Sequence, residues 1–356
     1  MIIDNHIHIF PDQAGPDTGP DPTRHVAQLQ KSVADFWGRM VSSHADPKFM
    51  PAAGENVDFT VGRHGRYYWR KHGESCWLQR GPAFMARMES TPEQIIAHMD
   101  AVGVDMAVIQ ADYDYVDFDT GREVYFRDAI KTRPDRFIGT VAVDHRLSRS
   151  DEFLQGQVAN LTHAVEDYRF RALFLGGEAI PDPLDDPRCD PLWKETVRLG
   201  VPAYVNTGFC SREKYLEQLR GLKVVLDRYP DLNVIDAHLG GNLLHPSNPE
   251  YVESPTELFP LLETGQFYLE VGYVLAYEDH RIWGPDSLYP YPRHAGIIQE
   301  VYKRFGPKMV WGSDLPWCYR TCTYQQNLDL VRLHTPYMTD KDRDRVLGGN
   351  LSRLLA

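Results

Sequence analysis

Eight short apolar and β-branched runs punctuate the chain, with a helical pattern or a long loop between consecutive runs. They are Ile2–Ile9, Asp105–Ala111, Arg136–Val143, Arg171–Leu175, Val201–Asn206, Asn233–His238, Gln266–Val271 and Lys308–Gly312. Several are nearly all apolar, as strands of a parallel sheet covered on both faces should be. Helical patterns fall at Thr91–Val102, Pro191–Leu199, Glu213–Tyr229, His294–Phe305 and Thr323–His334. Thr91-Pro92 opens the first, and Gly200 and Gly306 close the second and fourth. Eight strand–helix units in 356 residues predict an α/β fold, a (β/α)8 TIM barrel spanning 1–356 as one domain. A doubly wound sheet would want a Gly-rich loop after its first strand, and Pro11-Asp12-Gln13 follows instead.

Segment 11–90 interrupts the alternation. It shows no clear strand and is rich in Pro, Gly, His, Arg and Trp. Inserted after the first strand, it would stand at the C-terminal mouth of the barrel, and we expect a lid or a dimer contact. The net charge of −12, with no basic stripe, argues against nucleic acid as a partner. No apolar run approaches the ~20 residues a membrane span needs, and Asp4, His6 and His8 break the N-terminal run that a signal peptide would require. Five scattered cysteines make an odd set, which fits a reducing, cytoplasmic location better than a disulfide framework. Cys318 and Cys322 have helical spacing but no second Cys/His pair to complete a metal site.

In such a barrel the chemistry sits at the C-terminal strand ends. His6 and His8 lie two apart on the first strand, so alternation puts both imidazoles on one face, with Ile7 and Ile9 on the other. The third strand runs into Asp144-His145-Arg146, the fourth into Gly176-Gly177-Glu178, the fifth ends at Asn206, the sixth at His238, and the eighth in Gly312-Ser313-Asp314. Imidazoles and a carboxylate converging on one axis suit Zn²⁺, with Mn²⁺ or Fe²⁺ as alternatives. Tyr113 and Tyr273 follow the second and seventh strands and are placed to line a pocket. Arg66, Arg70 and Arg320 are candidates to clamp a substrate carboxylate, because guanidinium matches carboxylate bidentately.

These residues give the chain a resemblance. Asp4-x-His6-x-His8, His238-Leu239-Gly240-Gly241, Gly312-Ser313-Asp314-x-Pro316-Trp317 and Gly348-Gly349-Asn350-x-x-Arg353-Leu354 together resemble the amidohydrolase superfamily. The match is with the amidohydrolase-related branch that includes aminocarboxymuconate-semialdehyde decarboxylase. The resemblance implies a barrel with one divalent metal, held by His6, His8 and Asp314, with His238 acting on metal-bound water or on substrate. It also implies a homodimer or higher homo-oligomer. One position departs: where the decarboxylase has a metal-binding histidine on strand five, this chain has Asn206, whose amide oxygen is a weak ligand for Zn²⁺.

Two reactions are compatible with this set. The first is non-oxidative decarboxylation of an aromatic or unsaturated carboxylic acid, with His238 or Asp314 as the proton donor. The alternative is hydrolysis or hydration of a lactone, amide or conjugated acid from aromatic catabolism, with or without metal, with Asp314 as base. A small-molecule carboxylate is the expected partner in either case. A non-catalytic barrel is disfavoured, because it has no physical reason to keep buried titratable groups.

Overall fold

The structure is a computed structural model and describes residues 1–14, 22–34, 47–110, 123–176, 182–206, 212–237, 256–272 and 288–356. Its strands in chain order are β1 (Ile3–Ile7), β2 (Thr60–Val61), β3 (Arg66–Lys71), β4 (Glu74–Gln79), β5 (Met106–Ile109), β6 (Phe137–Ala142), β7 (Ala172–Leu175), β8 (Ala203–Val205), β9 (Val234–Asp236), β10 (Phe267–Val271) and β11 (Met309–Trp311). Eight of them form one parallel sheet in the order β1-β5-β6-β7-β8-β9-β10-β11. The sheet closes just past β11, where Leu315 bridges Ile7 in parallel, His8 N donates to Leu315 O (2.8 Å) and Asp314 N donates to His6 O (2.9 Å). Each predicted run holds one of these strands, trimmed at its ends; Lys308–Gly312, for example, contains Met309–Trp311.

Helices pack outside the strands. The predicted ones appear at Pro92–Val102, Asp190–Leu199, Arg212–Arg228, Pro292–Phe305 and Tyr324–Arg332, and others include Glu123–Thr132 and Asp151–Tyr168. Thr91 and Gln94 form a reciprocal capping box, and Gly103 ends that helix in the left-handed region (φ 80°). Strand residues facing both ways, such as Val108, Leu173, Tyr204, Ile235, Leu269 and Val310, are fully buried. That two-sided burial explains why the runs read as continuous apolar segments. No helix among the described residues is long and apolar enough to cross a membrane.

Segment 11–90 corrects the expectation that it holds no strand. β2, β3 and β4 form an antiparallel sheet. His72-Gly73, both at positive φ, make the two-residue turn between the paired Lys71 and Glu74. Along β3, Tyr67 and Trp69 point into a small core while Tyr68 and Arg70 point away. Aromatic residues on both faces hid that alternation. The core gathers Phe10, Val57, Phe59, Tyr67, Trp69, Leu78, Met88 and Trp317, apart from the main barrel core.

The C-terminal Gly-Gly-Asn-x-x-Arg motif has a structural role at the strand starts. A Cβ on Gly348 would lie 2.5 Å from Met1 O, so only glycine lets this turn approach β1. Asn350 Nδ2 donates to Pro307 O and Met309 O (both 2.8 Å), and Arg353 donates to the Tyr268 hydroxyl. Asn350→Ala strands two carbonyls and is expected to cost about 1–3 kcal/mol in denaturant unfolding. A loss under about 0.5 kcal/mol would show that the motif does not clamp β11.

Candidate metal centre

Strand β1 delivers its histidines through an irregularity. Asp4 pairs with Ala107 and Ile7 with Ile109, three steps on one strand against two on the other. The extra residue is a bulge, which re-aims side chains beside a site. Strict alternation therefore does not hold here: Asn5 and His6 both reach Glu270, although they are neighbours in sequence. His6 and His8 still converge, with their Nε2 atoms 3.0 Å apart.

Asp314 closes the group. Its Oδ1 lies 3.1 Å from His8 Nε2 and 3.6 Å from His6 Nε2. One ligand atom from each of His6, His8 and Asp314 falls within 4.8 Å of the others, and all three residues are buried. Asp314 accepts no hydrogen bond on either carboxylate oxygen among the described residues. A divalent cation would satisfy all three groups at once, so this donor set fits the metal that the resemblance implies.

The Gly-Ser-Asp stretch is explained residue by residue. A Cβ on Gly312 would lie 2.9 Å from His6 Cβ and 3.0 Å from Glu270 Cδ, so glycine lets these two side chains meet beside the strand. Ser313 donates its hydroxyl to Asp4 Oδ2 (2.5 Å) and its N–H to Asp4 Oδ1 (2.9 Å). Asp314 takes φ 60°, a left-handed conformation that Asp tolerates better than most residues. Asp4 also accepts from His6 N (2.9 Å) and the Tyr324 hydroxyl (2.9 Å), tying the first strand to the last. Burial pushes the Asp4 carboxyl up to about 7, against the lowering effect of those hydrogen bonds.

Behind the histidines lies a layer that was not anticipated from sequence. Glu270, fully buried on β10, places Oε1 2.9 Å and Oε2 3.1 Å from His6 Nδ1. Its Oε2 also accepts from Asn5 Nδ2 (2.8 Å) and Gln110 Nε2 (3.3 Å), and Asn5 Oδ1 accepts from the Tyr204 hydroxyl (2.5 Å). Burial, with the Glu270 charge nearby, pushes Tyr204 well above its usual value. The available signal was a lone carboxylate inside Phe-Tyr-Leu-Glu-Val, an otherwise apolar buried run.

The other predicted residues are dispersed. Asn206 is buried at the end of β8, and its Oδ1 has no hydrogen-bond partner among the described residues. His145 is buried against a small cavity lined by Leu154, Gln157, Cys189 and Leu192, between the barrel and its helices. Burial holds it below its ordinary pKa. Arg320 donates to Trp317 O (3.1 Å) and Arg80 O (3.3 Å). Arg80, itself buried, lies 3.8 Å over the Trp317 ring, whose centroid is 6.4 Å from that of His8. Arg66 stacks on Trp77 in the hairpin, and Arg70 is exposed. His238, Glu178, Tyr113 and Tyr273 lie outside the described residues. Cys318 and Cys322 are both buried, and the Cys322 thiol donates to Cys318 O (3.5 Å).

Solved structures share this architecture at low identity. 5-Carboxyvanillate decarboxylase from Sphingomonas paucimobilis matches with a TM-score of 0.57 at 14% identity, covering 99% of this chain and 98% of that one. A probable 2-pyrone-4,6-dicarboxylic acid hydrolase from Acinetobacter baumannii, with citric acid bound, matches with a TM-score of 0.57 at 16% identity, covering 99% and 98%. A 5-carboxyvanillate decarboxylase from Novosphingobium aromaticivorans, complexed with manganese and 4-hydroxy-3-methoxy-5-nitrobenzoic acid, matches with a TM-score of 0.55 at 14% identity, covering 100% and 96%. No curated protein matches the chain. The amidohydrolase family profile matches residues 3–356, and the chain belongs to that family.

Proposed function

We propose that the chain is a metal-dependent decarboxylase of an aromatic carboxylic acid, with one divalent cation held by His6, His8 and Asp314. The observation that carries this reading is the convergence of three buried ligand atoms within 4.8 Å at the strand ends. The cation, when bound, supplies Lewis-acid polarisation of the substrate's oxygens. Zn²⁺ suits the two imidazoles, while the manganese in the Novosphingobium enzyme and the amide oxygen of Asn206 favour a harder ion.

The chain's own residues do the rest. The substrate carboxylate leaves as CO₂, its C–C bonding pair stays on the ring carbon, and a proton delivered there completes the arene. His238 or Asp314 donates that proton. Arg80 and Arg320, tied together beside Trp317, supply positive charge for a carboxylate. Segment 11–90 serves as lid or subunit contact of a cytoplasmic homo-oligomer.

The Acinetobacter hydrolase supports a second reading, opening of a lactone ring at the same centre. Incubation of the metal-loaded protein with hydroxybenzoates and a pyrone dicarboxylate, with CO₂ and ring opening both monitored, separates them. CO₂ released in step with loss of the acid is the expected result. Ring opening without CO₂ would establish the hydrolase reading instead, and turnover of neither class would sink both.

A further inference from the structure

Glu270 has no role in the chemistry described so far, yet its placement is costly. A carboxylate taken out of water carries a large desolvation penalty, and an apolar residue here would continue the buried run of β10. Its surroundings explain why a charge is kept. Both of its oxygens face His6 Nδ1, at 2.9 and 3.1 Å. Asn5 and Gln110 hold Oε2, and Tyr204 holds Asn5 in turn. The side chains around it come from β1, from the residue after β5 and, through Asn5, from β8, so three other barrel strands hold a carboxylate carried on β10. Gly312 leaves the space that allows the contact, since a Cβ there would crowd both His6 and Glu270.

An ionised carboxylate only accepts hydrogen bonds, so the proton of a neutral His6 ring sits on Nδ1. The lone pair then sits on Nε2, which faces His8 Nε2 at 3.0 Å and Asp314 Oδ1 at 3.6 Å. We infer that Glu270 is the positioning residue of the metal centre: it fixes the tautomer and orientation of His6 and strengthens Nε2 as a donor to a divalent cation. The inference rests on His6 being a ligand. It adds that affinity for the ion is set by a carboxylate one residue before the end of β10, which acts through His6 rather than as a ligand itself. Carboxylate–histidine–metal pairs of this kind govern ligand basicity, and losing the outer partner weakens binding about 10–100-fold.

The test is calorimetric titration of the full chain with MnCl2, comparing the unsubstituted protein with Glu270→Gln. Glutamine keeps the size, removes the charge and can present an N–H to Nδ1, which reverses the tautomer preference. We expect affinity to fall about 10–100-fold with no loss of thermal stability. In parallel, ¹⁵N-histidine NMR of the metal-free unsubstituted protein, with the His6 signals assigned by their loss in His6→Ala, should show Nδ1 protonated and Nε2 bare. That measurement decides the question even if Glu270→Gln fails to fold. Affinity of Glu270→Gln within about twofold of the unsubstituted chain overturns the inference while leaving the ligand assignment intact, as does a proton found on Nε2. An unsubstituted chain that binds no ion overturns the metal reading and this inference together.

Discussion

Asp314→Asn is expected to abolish metal binding and to lower turnover by at least about 10²–10³-fold, the loss typical of removing a single preorganised hydrogen-bond donor to the transition state, while the fold survives. The fold survives because the backbone at Asp314 is left-handed (φ 60°), a conformation that Asn adopts as readily as Asp. Binding is lost because the amide brings no charge to a centre whose other donors are two neutral rings. Stability should hold or rise slightly. The native carboxylate is fully buried and accepts no hydrogen bond among the described residues, so neutralising it relieves a desolvation cost. A metal-free variant at least as stable as the metal-free parent would mark Asp314 as kept for function at the expense of stability. Thermal melts and metal titrations on the same two proteins check both halves. If Asn at this position left metal content and turnover intact, Asp314 would be a loop residue and the centre would have to be sought elsewhere.

The largest expected effect on stability belongs to Trp317, which should cost about 3–5 kcal/mol on truncation to Ala. Its ring is almost completely buried and stacks on Phe10 with centroids 5.2 Å apart and planes inclined by 10°. Arg80 covers it at 3.8 Å. Trp317 lies three residues past Asp314, yet it packs in the core of segment 11–90 with Phe59, Tyr67, Trp69 and Met88. It therefore joins the segment just past β11, which carries Asp314, to the inserted sheet. Removing it should loosen the insertion before the barrel, so limited proteolysis should cut within 11–90 faster than elsewhere. Trp317→Phe, which keeps a stacked ring, should recover most of the loss. A truncation costing less than about 1 kcal/mol would mean that the insertion is not anchored through this residue.

The barrel was legible because its strands are buried on both faces and so appear as apolar runs without a polar phase. The convergence of His6, His8 and Asp314 was legible because polar residues stand out at or just past the ends of such runs. Three features escaped for physical reasons. The β3–β4 hairpin carries aromatics on both faces, which erased its period of two. The bulge in β1 has no residue signature in Ile-Asp-Asn-His-Ile, so the shared reach of Asn5 and His6 toward Glu270 could not be foreseen. Glu270 sits one residue before the end of its strand, and only the barrel's closure brings it to His6, 264 positions away in sequence. His145 shows the converse: a strand-end position that suits a pocket in sequence, and a buried side chain beside Cys189 in the structure.

The most direct test of the central claim is elemental analysis of untagged protein purified without added metal and then reloaded with Zn²⁺ or Mn²⁺, alongside His6→Ala treated identically. The account predicts about one ion per chain in the parent and a background level in the variant. Equal metal content in the two proteins, or none in the parent after reloading, would contradict a centre built from His6, His8 and Asp314.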